Sequence, residues 1–207
     1  MKISHTPLAD MTGRIYPHLQ NADTLRQWSQ VATPCKRDAI KAQASIQRAI
    51  DHLHKPGSSL HYLDLSECGL TSLPPFSVWQ QLQGITILNI NQNNLPGTEL
   101  EKLRGMDTLQ FLNLSDNPLR DIPAGVLSGQ SKLQTLEASG CELQHIPEDI
   151  LECAWLDTLS LQDNPLHALP ENMGFAMRNL GELNIQGTEI GQLPDSLAYL
   201  GRLIVNR

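Results

Sequence analysis

The stretch LQFLNLSDNPLRDIP, residues 109–123, places its apolar residues two and three positions apart. This spacing fits neither an α-helix, whose apolar positions recur every three or four residues, nor a strand with strict alternation. Nearly the same order returns in LDTLSLQDNPLHALP, residues 156–170. A pattern that returns along the chain indicates a repeat architecture.

Aligned on this pattern, the chain contains six copies, which begin 23 to 25 residues apart. They are LHYLDLSECGL (from residue 60), ITILNINQNNL (85), LQFLNLSDNPL (109), LQTLEASGCEL (133), LDTLSLQDNPL (156) and LGELNIQGTEI (180). LGRLIVNR, from residue 200, begins a seventh copy. One such layer cannot bury its apolar face alone, so residues 56–207 are predicted to stack into a curved α/β solenoid.

Each copy is predicted to contain one short parallel strand, its central L-x-L, with Leu112 and Leu114 pointing inward. At the ninth position, Asn117 is expected to satisfy backbone groups where the chain leaves the strand. The ninth position of the other five copies is occupied by Cys68, Asn93, Cys141, Asn164 and Thr188. Two of the four cysteines therefore have a predicted structural role. In the second copy, Thr98 and Glu101 at capping-box spacing predict a short convex helix ending at Gly105.

The repeats resemble the leucine-rich-repeat family, whose signature L-x-x-L-x-L-x-x-N/C-x-L they match almost position for position. Five copies continue with Leu-Pro or Ile-Pro, as in the short form common in bacteria. The resemblance implies strands on a concave face and an extended or helical convex side. Proline suits that convex side, where its missing N–H does no harm.

Residues 1–55 are predicted to form an N-terminal helical cap, because the exposed end of a solenoid needs covering. One helix is expected over 34–55, with Thr33 as its cap and an apolar face formed by Ile40, Ile46, Ile50 and Leu53. A second is expected to begin near Asp23 and run to residue 32. Residues 7–19 predict a weaker third helix.

Two further family resemblances concern this cap. Seven residues of the cap resemble the helical region before the repeats in bacterial effectors of the IpaH type, and they lead into LTSLP at 70–74. They are Trp28, Ala32, Pro34, Arg37, Ala39, Arg48 and Ile50. In that family the repeats select host proteins and a ubiquitin-ligase domain follows. Residues 7–31 also resemble an F-box at Pro7, Leu8, Asp10, Met11, Ile15, Tyr16, Leu19, Asp23, Leu25 and Val31.

Composition and motifs argue against several functions. The net charge is −7, and residues 56–207 carry seven Lys and Arg against eighteen Asp and Glu, which argues against nucleic-acid binding. No run of apolar residues is long enough for a membrane span, and MKISHTPLAD lacks the apolar core of a Sec-type signal peptide. The cysteines form no Cys-x-x-Cys pair and no Cys-x-Asp motif of the IpaH ligases, so reduced thiols are expected. No cofactor, metal or catalytic site is predicted.

The third, fifth, seventh and eighth positions of each copy are predicted to project from the concave face. Tyr62, Ile87 and Phe111 occupy the third position of the first three copies, and three aligned exposed apolar side chains indicate a contact surface. Arg202 takes the third position of the seventh copy in this alignment. The predicted protein-binding residues are Tyr62, Asp64, Glu67, Ile87, Asn89, Phe111, Asn113, Asp116, Glu137 and Asp163.

These residues predict a non-catalytic protein-interaction module whose partner has a basic surface. The resemblance to IpaH-type effectors implies a bacterial protein delivered into a eukaryotic cell. Two other hypotheses stay open. One is an F-box-like adaptor that recruits a substrate to a ubiquitin ligase through a Skp-type subunit. The other is the substrate-recognition half of a longer effector ligase whose catalytic part lies beyond Arg207. The oligomeric state is not predicted.

Overall fold

The structure, a computed structural model, describes residues 17–55 and 61–207, with side chains from residue 22 onward. Its helices are α1 (Pro17–Ala32), α2 (Lys36–Leu53), α3 (Phe76–Trp79) and α4 (Met173–Ala176), with 3₁₀ helices at Gly97–Leu103, Glu148–Glu152 and Asp195–Tyr199. Its strands are β1 (Tyr62–Asp64), β2 (Ile87–Asn89), β3 (Phe111–Asn113), β4 (Thr135–Glu137), β5 (Thr158–Ser160), β6 (Glu182–Asn184) and β7 (Ile204–Asn206).

The seven strands form one parallel sheet in chain order, so each repeat adds one strand beside the previous one. The register aligns the third position of each repeat with the third position of the next. All the residues predicted to point inward are buried: Leu63, Leu65, Leu88, Ile90, Leu112, Leu114, Leu136, Leu159, Leu161, Leu183 and Ile185. The α/β solenoid predicted from the spacing is therefore confirmed.

The ninth position bonds to backbone, as predicted. The Asn117 amide donates to the carbonyls of Leu114, at 2.8 Å, and of Ile90 in the previous repeat, at 2.9 Å. Its Oδ1 accepts from the backbone N–H of Leu95, 3.1 Å away. Asn93 and Asn164 bond in the same way. Where a cysteine or threonine stands instead, its Sγ or Oγ1 donates to a backbone carbonyl: Cys68, Cys141 and Thr188.

The helix on the convex side of the second repeat differs from its prediction. It is a 3₁₀ helix over Gly97–Leu103, and no side chain caps its beginning. The preceding Pro96 has no N–H to donate to a capping-box glutamate. Glu99 instead accepts from the backbone N–H of Leu73 in the previous repeat, at 2.5 Å. Gly105 follows the helix with φ +79°, the left-handed conformation expected of a terminating glycine.

The helix α1 begins at Pro17, so the prediction of a start near Asp23 is wrong. The part of the predicted third helix before residue 17 lies outside the described residues. α1 packs on the first repeat through buried Leu25 and Trp28, and the Trp28 indole donates to the carbonyl of Ser72 at 3.3 Å. The backbone N–H of Thr71 donates to the carbonyl of Ala32. These contacts join the cap to the solenoid.

In α2 the apolar face is rotated from its prediction. Ile46 and Ile50 are buried as expected, but Ile40 is 59 % exposed. The buried face near the start of the helix is formed by Ala39 and Ala42, whose small side chains allow a close approach to the solenoid. Thr33 accepts from the backbone N–H of Cys35, a local turn rather than a bond that caps the helix.

The seventh copy lies two residues later than its alignment. Ile204 pairs with Glu182 and Val205 with Leu183, so Ile204 rather than Arg202 takes the third position. Leu200, which was aligned as the opening leucine, closes the preceding 3₁₀ turn through a bond from its N–H to the Leu197 carbonyl. The alignment was wrong because Leu200, a residue of the turn, was taken for the leucine that opens a repeat.

Candidate protein-binding face

Tyr62, Ile87 and Phe111 lie side by side on the outward face of the first three strands, at paired positions in the register. Tyr62 is 40 % exposed and Ile87 38 % exposed, while Phe111 is half-buried. We call these three residues the apolar stripe. Beyond it the same position is occupied by Thr135, Thr158 and Glu182, and then by Ile204. Among the described residues of the cap, α2 packs against β1, and Tyr62 and Ile87 stay exposed beside it.

The fifth position of each repeat is half-buried, and in the first three repeats its side chain holds the turn that follows the strand. Asp64, Asn89 and Asn113 each accept from the backbone N–H two residues later, at 2.9, 3.2 and 2.9 Å. Asn113 also donates to Glu137 in the next repeat at 2.6 Å. These predicted site residues therefore have a structural task as well as a position on the concave face.

The two acids at the fifth position have opposite pKa shifts. Burial raises the pKa of Asp64, but hydrogen bonds from Ser66 and Tyr62 and the positive charge of Lys41 outweigh burial and lower it overall. Burial alone raises the pKa of Glu137. The pKa of the Tyr62 hydroxyl is also raised, first by burial and then by the hydrogen bond and charge of Asp64. The first and the fourth repeat therefore present carboxylates of different basicity.

The predicted residues Glu67, Asp116 and Asp163 stand at the eighth position, in the turn after the strand, and all three are exposed. Their φ angles are +52°, +57° and +56°, in the left-handed region that non-glycine residues seldom adopt. Gly140 and Gly187 occupy the same position in two other repeats, also with positive φ. Those two glycines were the signal in the sequence for this turn, and the sequence analysis missed it.

The aspartate at the eighth position of the preceding repeat lies directly against each of these glycines. A Cβ atom on Gly140 would approach Asp116 Oδ1 to 2.8 Å, and one on Gly187 would collide with Asp163. The glycines therefore leave room for the carboxylates at the edge of the face. Asp116 and Asp163 each keep an exposed negative charge there.

Positive charge stands beside the first strand, and the sequence analysis did not place it. Lys41 in α2 extends its ammonium group to the carbonyl of Ser66 at 2.6 Å. Arg48 and His52 line the same cavity of about 310 Å³ between α2 and β1, together with Tyr62 and Asp64. The excess of Lys and Arg in the cap was visible in the sequence, but only the packing of α2 brings Lys41 and Arg48 to the end of the apolar stripe.

The buried thiols are poor nucleophiles. Burial raises the pKa of Cys141 to about 11 and that of Cys153 to about 12, so both stay protonated near neutral pH. Within residues 17–55 and 61–207, no three His, Cys, Asp or Glu side chains are grouped so that they could hold a metal ion. No helix in these ranges is long and apolar enough to cross a membrane.

A parallel sheet with one strand per repeat and an outward face of varied side chains defines the class: a solenoid repeat protein. A family model for the leucine-rich repeat matches residues 58–119 and 83–143. The chain thus has the fold of a leucine-rich-repeat domain, and domains of this kind generally mediate protein–protein interaction.

Solved structures share this fold. An internalin from Listeria monocytogenes aligns with a TM-score of 0.56 at 20 % identity, over 70 % of this chain and 39 % of that one. A chain of the Toll–Spatzle complex of Drosophila aligns with a TM-score of 0.57 at 29 % identity, over 70 % of this chain and 19 % of that one. The chain thus spans well under two thirds of either protein. No curated protein sequence matches it.

Proposed function

We propose that the protein binds another protein through its concave face and catalyses no reaction. The observation that carries the proposal is the apolar stripe, three adjacent outward side chains of which two are exposed and the third is half-buried. Exposed apolar side chains in one patch are typical of contact surfaces, and aromatic anchors ringed by polar groups are the usual composition of a binding hot spot. The buried thiols, with their raised pKa values, also favour recognition over catalysis.

The acids around the stripe favour a partner with a basic surface. Glu67, Asp116 and Asp163 are exposed along the turns, and Glu137 and Glu182 continue the negative charge on the strands. From the first to the sixth repeat, no Lys or Arg occupies the third, fifth, seventh or eighth position. Such a field attracts a positively charged partner and accelerates its encounter. The partner is therefore expected to have a basic surface around an apolar knob.

The proposal is tested by affinity capture of proteins from a cell lysate on the immobilised protein. A Tyr62→Ala/Phe111→Ala variant should lose the proteins that the wild type retains. The matched control is Phe175→Ala/Tyr199→Ala, because those two rings are exposed and in contact 5.0 Å apart, away from the concave face. If the stripe variant retains the same proteins as the wild type and the control, the concave face is not the binding site.

We further propose that this protein is a bacterial effector that acts in the reducing cytosol of a host cell. The resemblance of the cap and the Leu-Pro repeats to IpaH-type effectors supports this setting. The hypothesis of a longer ligase predicts that the natural reading frame continues past Arg207 into a domain with a Cys-x-Asp motif. Sequencing the gene through this point tests that hypothesis, and a stop codon there would rule it out.

An F-box-like adaptor is disfavoured by how α1 packs. Leu25, one of its F-box-like residues, is buried with Trp28 against the first repeat, as a cap requires. Pro7, Leu8, Asp10, Met11, Ile15 and Tyr16 lie outside the described residues. A Leu8→Ser/Ile15→Ser variant should fail to capture a Skp-type subunit that the wild type captures, if the adaptor hypothesis is right. We expect that neither protein captures it.

A further inference from the structure

The concave face has an electropositive end, formed by the cap rather than by the repeats. The side chains of Lys41, Arg48 and His52 line one wall of the cavity between α2 and β1, and Tyr62 lines the other. We call this space the cap cavity. Because Tyr62 belongs to both the cap cavity and the apolar stripe, the two are continuous.

Within the described part of the chain, the cations of the cap cavity form no ion pair. The guanidinium of Arg48 donates to the Ala44 carbonyl and to the Ser45 hydroxyl, each at 3.2 Å, and both acceptors are neutral. The ammonium of Lys41 donates to the carbonyl of Ser66, which is also neutral. Both cations therefore keep donors available for an anion.

Asp64 is the only acid that lines the cap cavity among the described residues, and its oxygens already have other partners. Oδ1 accepts from the backbone N–H of Ser66 at 2.9 Å, and the Tyr62 hydroxyl also bonds to this carboxylate. The positive charges of Lys41 and Arg48 therefore face one negative charge, that of Asp64, whose carboxylate is already bonded within its own turn. The cavity, unlike the rest of the concave face, carries a net positive charge.

We propose that the cap cavity binds an acidic side chain, Asp or Glu, of the protein partner that lies on the apolar stripe. This inference rests on the proposed function and refines it, since the face then has two poles. The partner's carboxylate enters between Lys41 and Arg48, its apolar knob covers Tyr62, Ile87 and Phe111, and its basic groups lie toward Glu137 and Asp163. Opposite charges at the two ends fix one orientation of the partner and reject the reverse.

The volume of the cavity agrees with this occupant. About 310 Å³ holds the end of one or two side chains rather than a folded segment. A carboxylate that replaces water between a guanidinium and an ammonium forms charge-assisted hydrogen bonds, which are stronger than bonds between neutral groups. A neighbouring apolar residue of the partner then reaches Tyr62 at the mouth of the cavity.

The experiment uses short random peptides displayed on phage. Each peptide is fused to the coat protein through its C-terminus, so it has no free terminal carboxylate, and its only carboxylates are those of Asp and Glu side chains. The targets are the wild type, Lys41→Glu/Arg48→Glu, Tyr62→Ala/Phe111→Ala and the control Lys132→Glu/Arg178→Glu. The control changes the net charge equally at two exposed sites outside the cap cavity. The enriched peptides are then synthesised with amidated C-termini, and their Kd values are measured by titration.

The wild type should enrich peptides that carry Asp or Glu next to an apolar residue. Charge reversal at Lys41 and Arg48 should raise the Kd of these peptides at least about tenfold, since hydrogen bonds to charged groups contribute about 1.5–3 kcal/mol. The control should change their Kd by less than about twofold, the scale of an exposed, distant charge. Replacing the acidic residue of a peptide by its amide should reproduce the loss on the wild type alone.

Failure of the cavity and failure of the proposed function give different results. If the enriched peptides require Tyr62 and Phe111 for binding but contain no Asp or Glu, the proposal for the cap cavity is wrong, while the proposed function of the concave face stands. The same holds if charge reversal at Lys41 and Arg48 does not change their Kd. Acidic peptides that depend on Lys41 and Arg48 but not on the stripe would overturn the proposed function instead. A wild type that enriches no peptide above the stripe variant would count against both.

Discussion

The two faces of the same strands obey different rules. At the fourth position, which points inward, all six complete repeats carry leucine, and the incomplete one carries valine: Leu63, Leu88, Leu112, Leu136, Leu159, Leu183 and Val205. At the adjacent third position, which points outward, the side chains of the first six repeats change from aromatic and aliphatic to polar and acidic. A packed layer accepts little variation in volume, whereas an outward side chain borders solvent and tolerates changes in size. Recognition is therefore free to differ from repeat to repeat while the fold is kept.

The strongest test of this contrast is Leu112→Ala. Leu112 is buried between two layers, and its truncation should lower the free energy of unfolding by about 2–5 kcal/mol, through lost burial and the cavity left behind. Ile87→Ala, on the outward face, is the control and should cost much less. Denaturant titration measures both. A loss below about 0.5 kcal/mol at Leu112, well under this range, would refute the inward assignment.

The reverse contrast is expected in binding. Phe111→Ala should weaken binding of the partner by about 2 kcal/mol or more, chiefly through faster dissociation, because it removes an aromatic anchor from the stripe. Thr158→Ala, at the same position two repeats later, should change the affinity little. Surface plasmon resonance on the captured partner separates the two rate constants. Equal losses at Phe111 and Thr158 would mean that the stripe is not the hot spot.

A smaller effect is expected from Asp116→Asn at the exposed turn. This change removes a negative charge that need not touch the partner, so it should slow association a few-fold and leave dissociation nearly unchanged. Salt screens interactions between exposed charges over about 10 Å at 0.1 M. The difference between wild type and variant should therefore shrink as ionic strength rises. A difference that persists in high salt would show that Asp116 makes a direct contact instead.

The smallest expected effect compares two acids on the outward face as the pH changes. The pKa of Asp64 is lowered in the folded protein, so its contribution to stability is complete above the ordinary pKa and is lost as the pH falls through the lowered one. The pKa of Glu137 is raised, so stability should decrease as the pH rises from the ordinary to the raised value. Unfolding titrations of Asp64→Asn and Glu137→Gln across the acidic range should deviate from wild type in opposite directions. Deviations of the same sign would contradict this assignment.

The sequence sufficed for the repeats because their evidence is periodic. Six copies specify the strands, the inward leucines and the ninth position, and each layer has nearly the same neighbours as the next. Where periodicity ends, the predictions failed. The seventh copy was aligned on Leu200, a residue of the turn, and α2 was predicted to bury Ile40 because alanines carry little hydrophobic signal.

The candidate site was predictable only in part. The order of Tyr62, Ile87 and Phe111 follows directly from the register, and so does their common face. The contribution of Lys41 does not, because it depends on how a helix outside the repeat packs against the first strand. The left-handed turn at Asp116 was within reach, since Gly140 and Gly187 mark that position in other repeats. Binding by the predicted residues remains a proposal.

The ninth position also determines how the solenoid responds to a pulling force. Asn93, Asn117 and Asn164 each bond to the preceding repeat through both ends of the amide. Cys141 reaches back with a single thiol bond, and the Thr188 hydroxyl bonds to Ile185 in its own repeat. The joints between layers are therefore unequal in strength. Under tension applied at the C-terminal end, the incomplete seventh copy and the sixth repeat should detach first, and the layers held by asparagine should rupture at higher load.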